Sequence, residues 1–277
     1  MPGLQAALPA AFLLLLSSLP PASAGKRPQP VPPGDIHVLD PNNPQAARAA
    51  QVALQYENFD RASPHGLLRL LEVKKAAVKI TTGSQKFYLY FTVVSYIYEE
   101  YIGSCISTVV FQKLAPPKVY SKCVLTQDEK QFHEKDKKFY ESLRHRRKPI
   151  IVYNIPDSYG NIDRAHIALW GLAICGSSKI MFEHSREDLS YNVAQVKAVK
   201  QELRNDNAVE FQILVVFHET PTQNTKTCHL NLTWTIGQPL KEKHICTSDN
   251  HGLEDGSGQD SGSAAGMSHE NERNFWE

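Results

Sequence analysis

Apolar and polar positions along the chain fall into two similar blocks. The first contains the run Phe87-Tyr88-Leu89-Tyr90-Phe91-Thr92-Val93-Val94 and the second contains Phe211-Gln212-Ile213-Leu214-Val215-Val216-Phe217. Runs of this length, rich in aromatic and β-branched residues, predict strands. After each run stands a pair of cysteines 18 positions apart, Cys105 with Cys123 and Cys228 with Cys246, the second pair 123 positions beyond the first. Two halves kept in step over such a distance imply an internal duplication, each unit about 90 residues with a cysteine-stapled antiparallel sheet.

Helical periodicity precedes each sheet. Asn43 can cap a helix with Pro44 in its first turn, where Ala46, Ala49, Ala50, Ala53 and Leu54 place small residues on one face. Ser63-Pro64-His65-Gly66 breaks it, and residues 67–82 predict the first strand. The hairpin series continues through Cys105–Phe111, a Pro116-Pro117 turn and Val119–Leu125, with Tyr96, Tyr98 and Tyr101 expected as cross-strand aromatics on the sheet. Residues 127–148 switch to a charged helix with Phe132, Phe139, Tyr140 and Leu143 as its apolar stripe. In the second half, a turn over 155–161 is followed by an apolar helix, about 163–184, opened by Asn161. Strands are then expected near 189–203 and 208–218, and from Cys228 to Ile236 the alternation is clean.

The ends of the chain read differently. Residues 4–19 form an apolar stretch followed by Pro20-Pro21 and Ala22-Ser23-Ala24, the small-residue pattern of a signal-peptidase site. The expectation is a signal peptide over 1–24, a Pro-rich leader over 25–43, a first module over 44–126, a connecting helix and linker over 127–155, a second module over 156–247, and an acidic tail over 248–277. Retention of the N-terminal segment would instead give a membrane-anchored regulator. No other segment is expected to be apolar enough to cross a membrane, so none is expected in the membrane after signal removal.

Thirty basic against 29 acidic residues supply no excess of cations for phosphate, which argues against nucleic-acid binding. Secretion makes the paired cysteines disulfides, Cys105–Cys123 and Cys228–Cys246, with Cys175 left as a buried thiol. Each bridge is worth about 3 kcal/mol by loop entropy. No HExxH, GxSxG, P-loop or GxGxxG motif occurs, so neither an enzyme nor a bound cofactor or metal is expected. Asn231-Leu232-Thr233 is a glycosylation sequon on the polar side of its strand. Ser268-His269-Glu270 has the Ser-x-Glu spacing of a secretory phosphorylation site. A phosphorylated acidic tail would suit Ca²⁺ at a mineral face. The cluster Arg144-His145-Arg146-Arg147-Lys148 complements a helix C-terminus.

A helix followed by an antiparallel sheet, twice over with a connecting helix, suggests an α+β fold of two cystatin-like modules, each a helix wrapped by a curved sheet. Phe139-Tyr140-Glu141-Ser142-Leu143, the 155–161 turn, Leu169-Trp170-Gly171-Leu172-Ala173, and Val199-Lys200-Gln201 with Arg204-Asn205-Asp206 together resemble the latexin family over about residues 45–246. That resemblance implies inhibition of A-type metallocarboxypeptidases. The cystatin Gln-x-Val-x-Gly loop is not matched by Gln195-Val196-Lys197-Ala198-Val199, so inhibition of cysteine proteases is not implied. The paired cysteines and the tail Asp249–Asp255 are most similar to the secreted branch of the family found in avian eggshell matrix. This implies a matrix component, with mineral or matrix proteins as partners and an antimicrobial action as a further expectation. For inhibition, the candidate contact is the polar loop His218–Lys226, with Pro221, Thr222, Gln223 and Asn224 at its tip.

Overall fold

The computed structural model describes residues 34–126 and 129–248. Within them the fold is α+β: two five-stranded antiparallel sheets and three α-helices. The first sheet runs in sequence order, β1 (Ile36–Leu39), β2 (Leu68–Ile80), β3 (Ser84–Ser95), β4 (Tyr101–Gln112) and β5 (Ala115–Leu125). The second repeats that order with β6 (Ile151–Ile155), β7 (Ser190–Glu202), β8 (Val209–Thr220), β9 (Thr225–Trp234) and β10 (Lys241–Ser248). Helix α1 (Pro44–Arg61) follows β1, and α3 (Ile167–His184) occupies the corresponding place after β6. Signal peptide, most of the leader and the tail with Ser268 lie outside the described residues.

Both sheets bend at the same places. Register shifts fall between Leu70 and Glu72 and between Val73 and Lys75 in β2, and between Val193 and Gln195 and between Val196 and Ala198 in β7. A bulge adds a residue to one strand and increases its local twist, so the two sheets carry the same local irregularity at equivalent positions. Asn43 caps α1 through its side chain, which accepts from the N–H groups of Gln45 and Ala46, and the four alanines of the small face are fully buried. These small side chains belong to the core of the first sheet, and α1 also packs along α3. The Gln55 side chain donates to the Tyr191 carbonyl at 2.8 Å, and the Tyr56 and Phe182 rings meet edge to face. A Cβ on Gly171 would come within 2.4 Å of the Pro64 carbonyl oxygen, so the glycine permits α3 to pass the turn after α1.

Helix α2 (Glu129–Arg144) joins the halves and packs on the second core through Tyr140 and Leu143. Trp234 meets the rings of Phe139 and Tyr140 at 5.9 and 5.4 Å. On the same helix, buried Asp136 accepts from the Ser63 hydroxyl at 2.5 Å and the His65 N–H at 3.0 Å, which fastens α2 to the turn after α1.

Several expectations need correction. Residues 36–39 of the leader form edge strand β1, and 151–155 of the linker form edge strand β6. The hairpin turn is Lys113-Leu114, with Gln112 opposite Ala115; Pro116-Pro117 lie within β5, tolerated because an edge strand has one side without a ladder. Tyr96 and Tyr98 sit in the β3–β4 turn rather than on a sheet face. Asp163, not Asn161, caps the turn entering α3, because the Asn161 N–H and carbonyl are both taken by Asp157. A second stretch, Arg164–His184, is long and apolar enough to span a membrane; its apolar window is 67% buried against the sheet and α1, so it serves as a core helix.

Candidate functional site

The β8–β9 hairpin ends in a four-residue turn, Pro221-Thr222-Gln223-Asn224, whose residues are all exposed. Two backbone bonds close it, Glu219 N–H to the Asn224 carbonyl at 2.9 Å and Gln223 N–H to the Glu219 carbonyl at 3.0 Å. Gln223 takes a left-handed φ of 66°, and its side-chain carbonyl accepts from His218 Nε2 at 2.9 Å. The Thr222 hydroxyl donates to Glu219 at 2.5 Å, and Asn224 N–H reaches the Thr222 hydroxyl at 3.3 Å. Thus the turn is folded by its own side chains, and both amides proposed for contact with a partner first hold its shape.

Glu219 is the hub, and nothing local in the sequence marks it. It faces Tyr191 in the β7–β8 register and accepts that phenol at 2.6 Å, which together with burial pushes the Tyr191 hydroxyl pKa up. Burial opposes ionisation of Glu219, but bonds from Thr222, Tyr191 and Asn224 and the Lys226 cation outweigh it, holding its carboxyl below the ordinary range. Such a group adds stability that is fully present above the unfolded pKa and is lost as pH falls through the folded one. The Glu219 side-chain carboxyl ¹³C shift should therefore stay constant on acidification and inflect only below the ordinary Glu value of about 4.3. An NMR titration checks this: Glu219→Gln should abolish the inflection, and one at or above the ordinary value contradicts the network.

The cysteines are joined as Cys105–Cys123 and Cys228–Cys246, each pair directly opposite across neighbouring strands, while Cys175 is free and buried, which drives its thiol pKa upward. Cys228 lies four residues into β9 and ties the inner face of the hairpin to β10. Asn231 is exposed on the opposite face of the same strand, between buried Leu230 and Leu232. Arg144 through Lys148 are exposed at the end of α2, where Arg144 donates to the Asn207 side chain at 2.8 Å. Among the described residues no group of three or more His, Cys, Asp or Glu side chains could hold a metal ion.

Three curated relatives extend over most of the chain. Ovocalyxin-32 of Gallus gallus is 53% identical over 276 residues, covering 99% of this chain and 100% of that protein. Retinoic acid receptor responder protein 1 of Homo sapiens is 32% identical over 226 residues, covering 78% and 76%. Latexin of Homo sapiens is 28% identical over 211 residues, covering 74% and 94%. Among solved structures, mouse fetuin-B in complex with crayfish astacin aligns with a TM-score of 0.29 and 16% identity over 79% of this chain and 70% of that one, too weak to bear on the fold. The Latexin family profile matches residues 39–252, which contain all three helices and every strand except most of β1. The chain belongs to the latexin family.

Proposed function

We propose that this is a secreted protein of an eggshell-type extracellular matrix, not an enzyme, built as two cystatin-like modules on a latexin-family inhibitor scaffold. The observation that carries the reading is the 53% identity to Ovocalyxin-32 along essentially the whole length of both chains. Two cross-strand disulfides support it, since such bridges persist in oxidising compartments. Protein recovered from calcified matrix should begin at Gly25 and lose mass at Asn231 on treatment with an N-glycan-removing amidase. Recovery only from the cell fraction with residues 1–24 retained would overturn secretion and favour a membrane-anchored form.

The β8–β9 turn favours a second reading, an active inhibitor of an A-type metallocarboxypeptidase. Such an enzyme needs a free C-terminus in its funnel, whereas a turn closed on both sides presents no end to cleave. Because the Glu219 network and the Cys228–Cys246 bridge shape this turn before contact, little conformational entropy is lost on docking. In that reading Pro221 to Asn224 enter the funnel while the second sheet stays outside as a rigid mount. The two readings are compatible on one scaffold.

A further inference from the structure

The outward faces of the two sheets carry different chemistry although their strands share one topology. On the first sheet, one cross-strand row is Ile36, Lys79, Lys86, Val110 and Lys118; the next is Val38, Ala77, Tyr88, Thr108 and Tyr120; a third is Lys75, Tyr90, Ile106 and Lys122. Val38, Ile106 and Tyr120 are 87%, 69% and 67% exposed, and a shallow groove of about 500 Å³ runs over Tyr90, Ile106, Tyr120 and Val124. These three rows hold five lysines and no carboxylate. At the edge of the next row, Glu72 is paired with Lys74. The matching face of the second sheet also exposes Ile151, Tyr153 and Ile245 and carries Lys200, Lys241 and Lys243, but its rows include the carboxylates Glu202 and Glu210. What is particular to the first sheet is that its exposed apolar side chains are rimmed by lysines with no carboxylate among these rows, and a contiguous patch of this kind marks a contact.

We propose that this face docks the chain's own acidic tail, residues 249–277, with Phe275-Trp276 seated on the Tyr90, Ile106 and Tyr120 platform. The tail has seven carboxylates against one arginine, and its aromatic pair is flanked by Glu270, Glu272 and Glu277. This complements an apolar centre rimmed by Lys75, Lys86, Lys118 and Lys122. Reach is ample: the 27 positions from Ser248 to Phe275 extend to about 90 Å, against a radius of gyration of about 17 Å for a folded body of this size. Tethering gives the tail a high effective concentration at the face, so weak contacts suffice. Docking covers the first sheet and leaves the β8–β9 turn on the other half open.

Trp276 supplies the test, because Trp170 and Trp234 are buried. Subtracting the emission of the full-length Trp276→Phe variant from that of the full chain isolates Trp276. The expected result is blue-shifted emission with loss of acrylamide quenching relative to a free peptide of residues 268–277. Both should vanish in the double variant Tyr120→Glu, Lys122→Glu, in Ile106→Ser as a milder second variant, and in about 1 M salt, where screening acts over roughly 3 Å. Lys243→Glu on the other sheet should change neither. Quenching equal to the free peptide, or shielding untouched by the face variants, overturns the proposal. Shielding that grows with protein concentration overturns it in favour of a second copy, and an exposed Trp276 with face-dependent binding of dextran sulfate overturns it in favour of an external polyanion.

Discussion

Replacing Trp234 with alanine should cost about 3–5 kcal/mol, the range for emptying a buried aromatic site. Its side chain is 2% exposed at the end of β9 and touches both Phe139 and Tyr140 of α2. Two elements lose their common anchor at once, so the loss should exceed that of an aliphatic truncation elsewhere in the sheet. Equilibrium urea unfolding measures it as a lowered midpoint with little change in slope. Trp234→Phe keeps an aromatic ring in place and should recover much of the loss. A cost under about 1.5 kcal/mol would mean that α2 is held by Asp136 and its partners instead, because volume-conserving rearrangements stay in that range.

Removing the second bridge through Cys228→Ala with Cys246→Ala should destabilise the chain by about 3 kcal/mol, from the entropy returned to an unfolded loop of this length. The same double change at Cys105 and Cys123 removes a bridge of the same sequence separation, 18, and should cost a similar amount. Bridges on separate sheets share no partner, so the effects should add to about 6 kcal/mol, a large part of the 5–15 kcal/mol typical of a domain. Thermal unfolding of the three variants decides it. If the combined loss falls well short of the sum, the two halves do not behave as separate stapled sheets.

What the sequence disclosed and what it withheld follow from where each signal lies. Long buried strands announce themselves through unbroken apolar runs, and β3 and β8 were legible for that reason. The helix cap at Asn43 was equally plain, because a capping side chain acts within its own turn. Strands β1 and β6 were missed because short edge strands are half exposed; Ile36 and Val38 face solvent, so their period carries no core signal. The paired bulges leave no local mark, since they are set by how a whole strand pairs with its neighbour. At the candidate site, the turn residues were visible as a polar break between strands. Their organiser, Glu219, was not, because its partner Tyr191 lies 28 positions away and only the β7–β8 register brings them together.

The most direct test of the inhibitory scaffold is a titration of an A-type metallocarboxypeptidase with the purified chain, alongside the double variant Gln223→Ala, Asn224→Ala. Docking through the β8–β9 turn predicts stoichiometric loss of peptidase activity with the native chain. It also predicts at least about tenfold weaker inhibition by the variant, the result of losing roughly 1.4 kcal/mol of contact and preorganisation. Equal inhibition by the two proteins would contradict the assignment of the turn. No inhibition by the native chain would contradict the inhibitor reading and leave the matrix role alone.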